Sequence, residues 1–188
     1  MSLPEPEMAR VQRAVGARCE ALALAVMRDA GEAFEQCDPA GMHEVTWGAL
    51  VDFSGGVSVG LSWIQDAQGQ PNRIWVPEAG WFATVESVVV QRLEHLPPWC
   101  DFIGRRLSFV QIHTYPSNYG LSPSGKTWHQ VPWGLEFAFE DRRMLIASAC
   151  HGHSLDDPMC NDQIVVAYTP SAVASMIALR RGYVEEWG

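Results

Sequence analysis

The sequence predicts an α+β fold, in which an N-terminal helix precedes two pseudo-repeated β-hairpin–strand–helix units around a mainly antiparallel sheet. Two observations carry this prediction. Apolar residues recur at helical spacing over residues 6–36, and two pairs of short apolar runs flank turn-forming residues further along the chain. With 188 residues, 47% of them hydrophobic and 19% charged, the chain is long enough and apolar enough to form a single α+β domain over residues 1–188.

The N-terminal helix, residues 6–36, is predicted from apolar side chains that recur every three or four residues. These side chains are Met8, Val11, Val15, Cys19, Leu22, Val26, Ala30 and Phe34. Pro6 suits a first helical turn. Asp38 precedes Pro39 and therefore ends the helix, because the residue before a proline avoids helical backbone angles.

The first repeated unit begins with a hairpin. Residues 47–53 and 57–63 lie on either side of Ser54-Gly55-Gly56, whose glycines supply the positive φ angles of a tight turn. Residues 73–76 form a third short strand. From Thr84 to Leu96 the apolar spacing is again that of a helix, although the valines of this segment also fit a strand.

The second unit repeats this order. Residues 133–139 and 144–149 flank a polar turn, and residues 163–168 form a strand. A helix is predicted from Pro170 to Arg181, because Thr169 is a good N-cap and Gly182 a good C-terminal stop. A further strand over residues 107–115 lies between the two units.

Equivalent residues of the two units keep a nearly constant offset, which defines halves at about 43–97 and 129–182. The matches, at offsets of 86, 86 and 90 residues, are Trp47-Gly48 with Trp133-Gly134, Phe53 with Phe139, and Ile74 with Ile164. The alternative is that two hairpins of similar length align by chance.

Composition and charge narrow the classes of function. The net charge of −9 and the sequence pI near 5.0 argue against binding to nucleic acid, which requires a face rich in Lys and Arg. The chain has no run of about 18 apolar residues, so no membrane span is expected. The proline-broken, acidic N-terminus does not resemble a signal peptide. Together with the odd number of five cysteines, it predicts a cytoplasmic protein with reduced thiols.

Two short motifs match known catalytic or ligand-binding patterns. Residues 120–127 match the phosphate-binding pattern G-x-x-x-x-G-K-[ST], with Lys126 and Thr127 as the nucleotide-contacting residues. That pattern needs a helix after the loop, whereas a strand is predicted here, so an exposed loop is favoured. Residues 56–60 match G-x-S-x-G, but Ser58 lies inside a predicted strand and not at a strand-to-helix turn.

The densest group of metal-ligating side chains lies between Cys150 and Cys160. Cys150, His151, His153 and Cys160 form a possible zinc site, with Asp101, His113 or His129 as conceivable further ligands. The spacing matches no standard zinc signature. A polar loop with two unrelated thiols is the alternative, so no cofactor is expected beyond this possible zinc.

Partner-binding residues are proposed around the loop of residues 116–131. Trp128 and Trp133 follow the Gly/Ser/Pro-rich segment of residues 117–126 within and next to this loop, and they are expected to be half-exposed. Acidic residues crowd the second half and are expected to form a solvated face that suits a basic partner: Glu136, Glu140, Asp141, Asp156, Asp157 and Asp162. Asp156 and Asp157 are the acidic residues assigned to partner binding.

The second half also carries a recognisable pattern of strand residues. It consists of Ile103-Gly-Arg-Arg-Leu107-Ser-Phe-Val110, Pro132-Trp-Gly-Leu-Glu-Phe-Ala-Phe-Glu-Asp-Arg-Arg-Met-Leu-Ile146, and Asp162-Gln-Ile-Val-Val166. In this it resembles small bacterial α+β proteins, some of which are immunity proteins or orphan neighbours of toxin systems. The turn differs, because Asp141-Arg142 stands where an Asp-Gly is usual. The resemblance implies a fold and brings no catalytic residues.

The sequence therefore predicts a non-enzymatic, immunity-like protein-binding module. The alternative is a metal-binding protein or metal-dependent enzyme that uses the Cys150–Cys160 cluster, and a weaker possibility is nucleotide binding through residues 120–127.

Overall fold

A computed structural model describes residues 5–28, 41–45, 47–65, 71–76, 80–117, 129–148 and 164–187, and it confirms the α+β class. The described residues are mostly strands. The two α-helices are α1 (Glu5–Ala14) and α2 (Pro170–Trp187), and two 3₁₀ helices cover Trp81–Thr84 and Trp99–Phe102. The strands are β1 (Cys19–Met27), β2 (Met42–Val45), β3 (Gly48–Phe53), β4 (Val57–Gln65), β5 (Pro71–Trp75), β6 (Val88–Arg92), β7 (Leu107–Ser117), β8 (His129–Phe139), β9 (Arg143–Ser148) and β10 (Ile164–Ala167).

The strands form two five-stranded antiparallel sheets. The first sheet has the order β5-β4-β3-β1-β6 and the second has the order β2-β10-β9-β8-β7. Each sheet contains a four-stranded meander, namely β1-β3-β4-β5 in the first sheet and β7-β8-β9-β10 in the second. Each meander is extended by one extra strand, but on opposite sides. In the first sheet β6 pairs with β1, whereas in the second β2 pairs with β10.

The two meanders pair their strands in the same register. The matched pairs include Leu22–Val51 with Val110–Phe137, Ala25–Gly48 with His113–Gly134, Gly48–Ser62 with Gly134–Ala147, and Ser62–Trp75 with Ala147–Val165. The residue matches that predict the repeat therefore occupy equivalent places in the two sheets. The structural repeat also begins earlier than the predicted halves, because β1 and β7 belong to it.

The meanders meet where β1 and β7 begin. Gly16 and Gly104 each have a positive φ, 89° and 79°, and Arg18 forms an isolated antiparallel bridge with Arg106. A guanidinium N–H of Arg18 donates to the Gly104 carbonyl oxygen at 2.5 Å, and one of Arg106 donates to the Gly16 carbonyl oxygen at 2.8 Å. The contacts are reciprocal, as expected for two copies of one unit related by a local pseudo-twofold axis.

The main core lies between the inner faces of the two sheets. Phe53 of the first sheet stacks on Phe137 and Phe139 of the second, with ring centroids 6.3 and 6.5 Å apart. Val11 and Ala14 of α1 belong to the same cluster of buried side chains. On the outer face of the second sheet, α2 buries a separate cluster: Trp133, Leu145, Ala147, Val165, Ala167, Ala172, Val173 and Met176.

The prediction of one long helix over residues 6–36 is wrong. The helix ends at Ala14, and residues 19–27 form strand β1. Gly16 adopts a left-handed backbone conformation that no helix continues through. The segment Ala21-Leu-Ala-Leu-Ala-Val26 alternates in side-chain size, with Leu22, Leu24 and Val26 in the main core. Because both faces are apolar, hydrophobicity alone did not reveal this period of two.

The predicted helix from Thr84 to Leu96 is also wrong. Residues 88–92 form the edge strand β6 next to β1. Three consecutive β-branched valines favour a strand, and their exposed backbone edge finds a partner in β1. The first unit therefore lacks the helix of the predicted hairpin–strand–helix repeat.

The C-terminal helix is confirmed. The Thr169 hydroxyl oxygen accepts a hydrogen bond from the Ala172 backbone N–H at 3.2 Å, which is an N-cap. The helix continues past the predicted stop at Gly182 to Trp187. Among the described residues, no helix is both long and apolar enough to cross a membrane.

The pseudo-twofold junction predicts equal sensitivity at its two glycines. Gly16→Ala and Gly104→Ala should each lower the free energy of unfolding by about 1–2 kcal/mol, because alanine is strained at positive φ. Neither added methyl group meets an atom within 4 Å, so strain and not a clash sets the loss. Urea unfolding of both variants measures it, and a loss at only one of the two positions would contradict the equivalence.

Candidate functional site

Most of the residues predicted to form a site lie outside the described residues. These are Lys126, Thr127, Trp128, Cys150, His151, His153, Asp156, Asp157 and Cys160. Their nucleotide, metal and partner-binding roles stay predictions. Within the described ranges, no three His, Cys, Asp or Glu side chains come together in a way that suits a metal ion.

Among the predicted site residues, Trp133 is the one that the structure describes, and the expectation that it is half-exposed is wrong. Its side chain is 3% exposed and packs in the cluster under α2. A bulge in the β7–β8 pairing next to this position accompanies its placement on the outer face of the second sheet. There its ring lies 5.2 Å from the ring of His113. Trp133 is therefore a buried residue that packs against His113, which belongs to the neighbouring surface.

That neighbouring surface contains a buried carboxylate with two partners. Glu136 on β8 is 2% exposed, although the sequence places it on a solvated acidic face, and that expectation is wrong. One oxygen, Oε2, lies 2.8 Å from His113 Nε2, and the other, Oε1, accepts a hydrogen bond from Arg143 at 2.6 Å. We call these three residues the His–Glu–Arg trio. His113 and Asp101 thus have other partners than the suggested metal, since Asp101 pairs with Arg142 at 2.9 Å.

The trio fixes the position of an exposed aromatic residue and an exposed cation. The Arg143 guanidinium lies 5.9 Å from the centre of the Phe109 ring, in a cation–π arrangement. Phe109 is 42% exposed, and the Arg143 side chain is 55% exposed. Gln111, also exposed, lies between Phe109 and His113 on the same face of β7. The result is a small surface of aromatic, amide and guanidinium groups anchored on one buried charge.

The equivalent place in the first sheet carries no such charge. In the matched register of the first sheet, Ala25, Leu50 and Ser58 occupy the positions of His113, Glu136 and Arg143. The same scaffold is thus built at this place with small or apolar residues. A buried carboxylate is expensive to desolvate, so its presence in only one of two equivalent places marks this surface as the candidate functional site.

Each oxygen of Glu136 has a partner. The Arg143 guanidinium binds one and the His113 imidazole lies within hydrogen-bond distance of the other, so the carboxylate holds both side chains in place. The described cysteines, Cys19 and Cys100, are free thiols. Burial, with repulsion from Asp52, Glu20 and Glu94, raises the pKa of the Cys19 thiol from 9.0 to about 12. Cys19 is therefore a poor nucleophile.

Comparison of the chain with protein-family models, with curated proteins and with solved structures finds no match. The site must be interpreted from its own geometry.

Sequence reasoning missed the trio and Phe109, although one signal was present. Glu136 interrupts the apolar run Trp133-Gly-Leu-Glu-Phe-Ala-Phe139 at the place where the repeat has Leu50. A charged residue in one copy against an apolar residue in the other is a signal of function. This difference between Glu136 and Leu50 can be interpreted only when the repeat alignment is known to be correct and the covered face of each strand is known.

The comparison with the first sheet predicts the stability of two variants. Glu136→Leu should change the free energy of unfolding by no more than about 1 kcal/mol, because an apolar residue at this place removes the desolvation cost together with the ion pairs. Arg143→Ala should cost about 2 kcal/mol, because it leaves the buried carboxylate short of a charged partner. Urea unfolding of both variants measures the order. A larger loss for Glu136→Leu would show that the fold depends on the trio.

The raised pKa of Cys19 predicts alkaline destabilisation. The folded protein keeps this thiol protonated to about pH 12, whereas the unfolded chain releases the proton near pH 9. This contribution to stability is complete below pH 9 and is lost progressively as the pH rises towards 12. Cys19→Ala should therefore flatten the fall of unfolding free energy between pH 9 and 11. An unchanged slope would contradict a buried, protonated thiol, and Cys100→Ser, at an exposed site, is the control.

Proposed function

We propose that this protein is a non-enzymatic protein-binding module of the immunity-like kind, and that it binds its partner with the surface around Phe109 and Arg143. The observation that carries the proposal is the His–Glu–Arg trio, a buried charge network at a place where the sister sheet has Ala25, Leu50 and Ser58. The trio anchors an exposed arginine above an exposed aromatic ring.

The residue types at this surface support protein recognition. Arginine and aromatic side chains are enriched among the residues that dominate binding energy in protein interfaces. The Glu136 carboxylate holds the guanidinium of Arg143 in place before a partner arrives, which reduces the side-chain entropy lost on binding. A preorganised arginine that retains exposed donors can then bind backbone carbonyls or a carboxylate of the partner.

The overall charge supports a partner of opposite sign. With a net charge of −9, the chain attracts basic proteins over a distance and repels acidic ones.

A cytoplasmic location is part of the proposal and is supported by the free thiols of Cys19 and Cys100. In this proposal Trp133 does not contact the partner; its buried ring packs against His113.

Site-specific crosslinking tests the proposal. A photoreactive phenylalanine analogue at position 109 should form an adduct with one protein in an extract of the source organism, identified by mass spectrometry. The matched control carries the analogue at Val89, which is 40% exposed on the edge strand β6 of the other sheet. Absence of any adduct specific to position 109 would contradict the proposal.

The purified partner then gives a quantitative measurement. Phe109→Ala and Glu136→Leu should each weaken its binding by at least about tenfold, since loss of an anchor in an interface costs more than about 1.4 kcal/mol. Val89→Ala should leave the dissociation constant unchanged. Calorimetric titration measures all three variants, and equal effects at positions 89 and 109 would place the interface elsewhere.

A further inference from the structure

Among the described residues, strand β7 pairs only with β8, whereas the equivalent strand β1 of the first sheet pairs on both sides. In the first sheet, the equivalent strand β1 pairs on its outer side with β6, residue by residue from Ala23–Arg92 to Met27–Val88. In the second sheet, β7 is the last strand among the described residues. By the matched register, residues 111–115 of β7 hold the place that residues 23–27 of β1 hold.

The outer edge of β7 presents backbone groups beside which the structure describes no further strand. At its start, Leu107 already uses this edge, because its N–H donates to the Ala17 carbonyl and its carbonyl accepts from the Gly16 N–H. In an antiparallel ladder the backbone groups of alternate residues point to the same side. Leu22, the equivalent of Val110, accepts a hydrogen bond from the Leu93 N–H of the β6 segment at 2.8 Å. The pairing register shifts between Leu107 and Phe109, so the alternation restarts there. By equivalence with Leu22, the backbone groups of Val110 and Ile112 face the outer edge of β7.

We infer that the edge of β7 accepts an extended segment of the protein partner, which adds to the second sheet as an antiparallel strand in the place that β6 takes in the first sheet. This inference rests on the proposed function and specifies how the partner is held. A row of alternating N–H and C=O groups is complementary to another extended backbone. The edge is also continuous with the candidate surface, since Phe109, Gln111 and His113 lie on the outer face of the same strand.

The side chains of β6 indicate what the added strand should contain. Val90 pairs with Ala25, whose equivalent is His113, and Arg92 pairs with Ala23, whose equivalent is Gln111. The His113 side chain is only 10% exposed, so its surroundings on the outer face of the sheet are crowded. We therefore expect a compact side chain at the position of the added strand that pairs with His113. The expected partner segment is a short run of β-branched residues flanked by polar ones, as in β6 itself.

A peptide that copies the β6 region is the direct probe. A fluorescein-labelled peptide of residues 86–94, Glu-Ser-Val-Val-Val-Gln-Arg-Leu-Glu, should bind the full chain saturably in a fluorescence-anisotropy titration. The matched control peptide carries Val89→Pro and Gln91→Pro. Prolines at these positions remove the N–H groups that would bond to the edge, so binding should weaken at least about tenfold. Equal binding of both peptides would overturn strand addition.

Hydrogen–deuterium exchange locates the bound peptide without altering the protein. Amides in residues 108–113 should exchange at least about tenfold more slowly with the peptide than without it. Absence of protection there, or faster exchange within residues 88–92 because the peptide displaces the resident strand, would overturn the inference. Protection that appears without peptide and rises with protein concentration would assign the edge to a second copy of the chain, which also overturns it.

The two proposals fail separately. An adduct at position 109 without peptide protection of residues 108–113 would leave the protein-binding function standing and remove strand addition. Peptide protection without any adduct at position 109 would show that the edge accepts a strand while contradicting the proposed function of the surface.

Discussion

The crossed contacts of two Gly-x-Arg segments hold the two halves of this protein in register. Arg18 and Arg106 face each other across an antiparallel bridge, where like charges normally repel. Each guanidinium instead donates to a carbonyl oxygen on the opposite segment, that of Gly104 or Gly16. The positive φ of both glycines turns the chain so that these carbonyls are in reach. The two inner faces then meet, with Phe53 stacked on Phe137.

One scaffold, built twice, carries two different outer faces. On the first sheet, small residues such as Ala25 and Gly48 face Phe82, and a methyl group added to Gly48 would lie 2.7 Å from that ring. On the second sheet, α2 covers β9 and β10, while the trio joins β7 and β8 with the first residue of β9. Because the shared scaffold does not account for these differences, they are where function is to be sought.

Burying the charge network around Glu136 requires an unfavourable desolvation free energy. Removing a carboxylate and its partners from water offsets much of the attraction between them, so such networks add little to stability. What the network around Glu136 does provide is a fixed direction for Arg143 above Phe109. Rigid placement of an arginine and an aromatic ring is an advantage in binding, where the entropy of ordering side chains opposes association. Under the proposed function, the cost of burial is understandable as preorganisation of the binding surface.

The sequence by itself determined the class of the fold, both hairpins, the capped C-terminal helix and the offset between the repeated units. These features depend on local chemistry, such as the glycines at 55 and 56 or the N-cap Thr169. Only the tertiary structure decided that residues 19–27 and 88–92 are strands, because Ala and Leu alternate there on two buried faces and the valines find a neighbouring edge. It also decided the candidate site, because Glu136 stands out only when three strands bring His113 and Arg143 to its two oxygens.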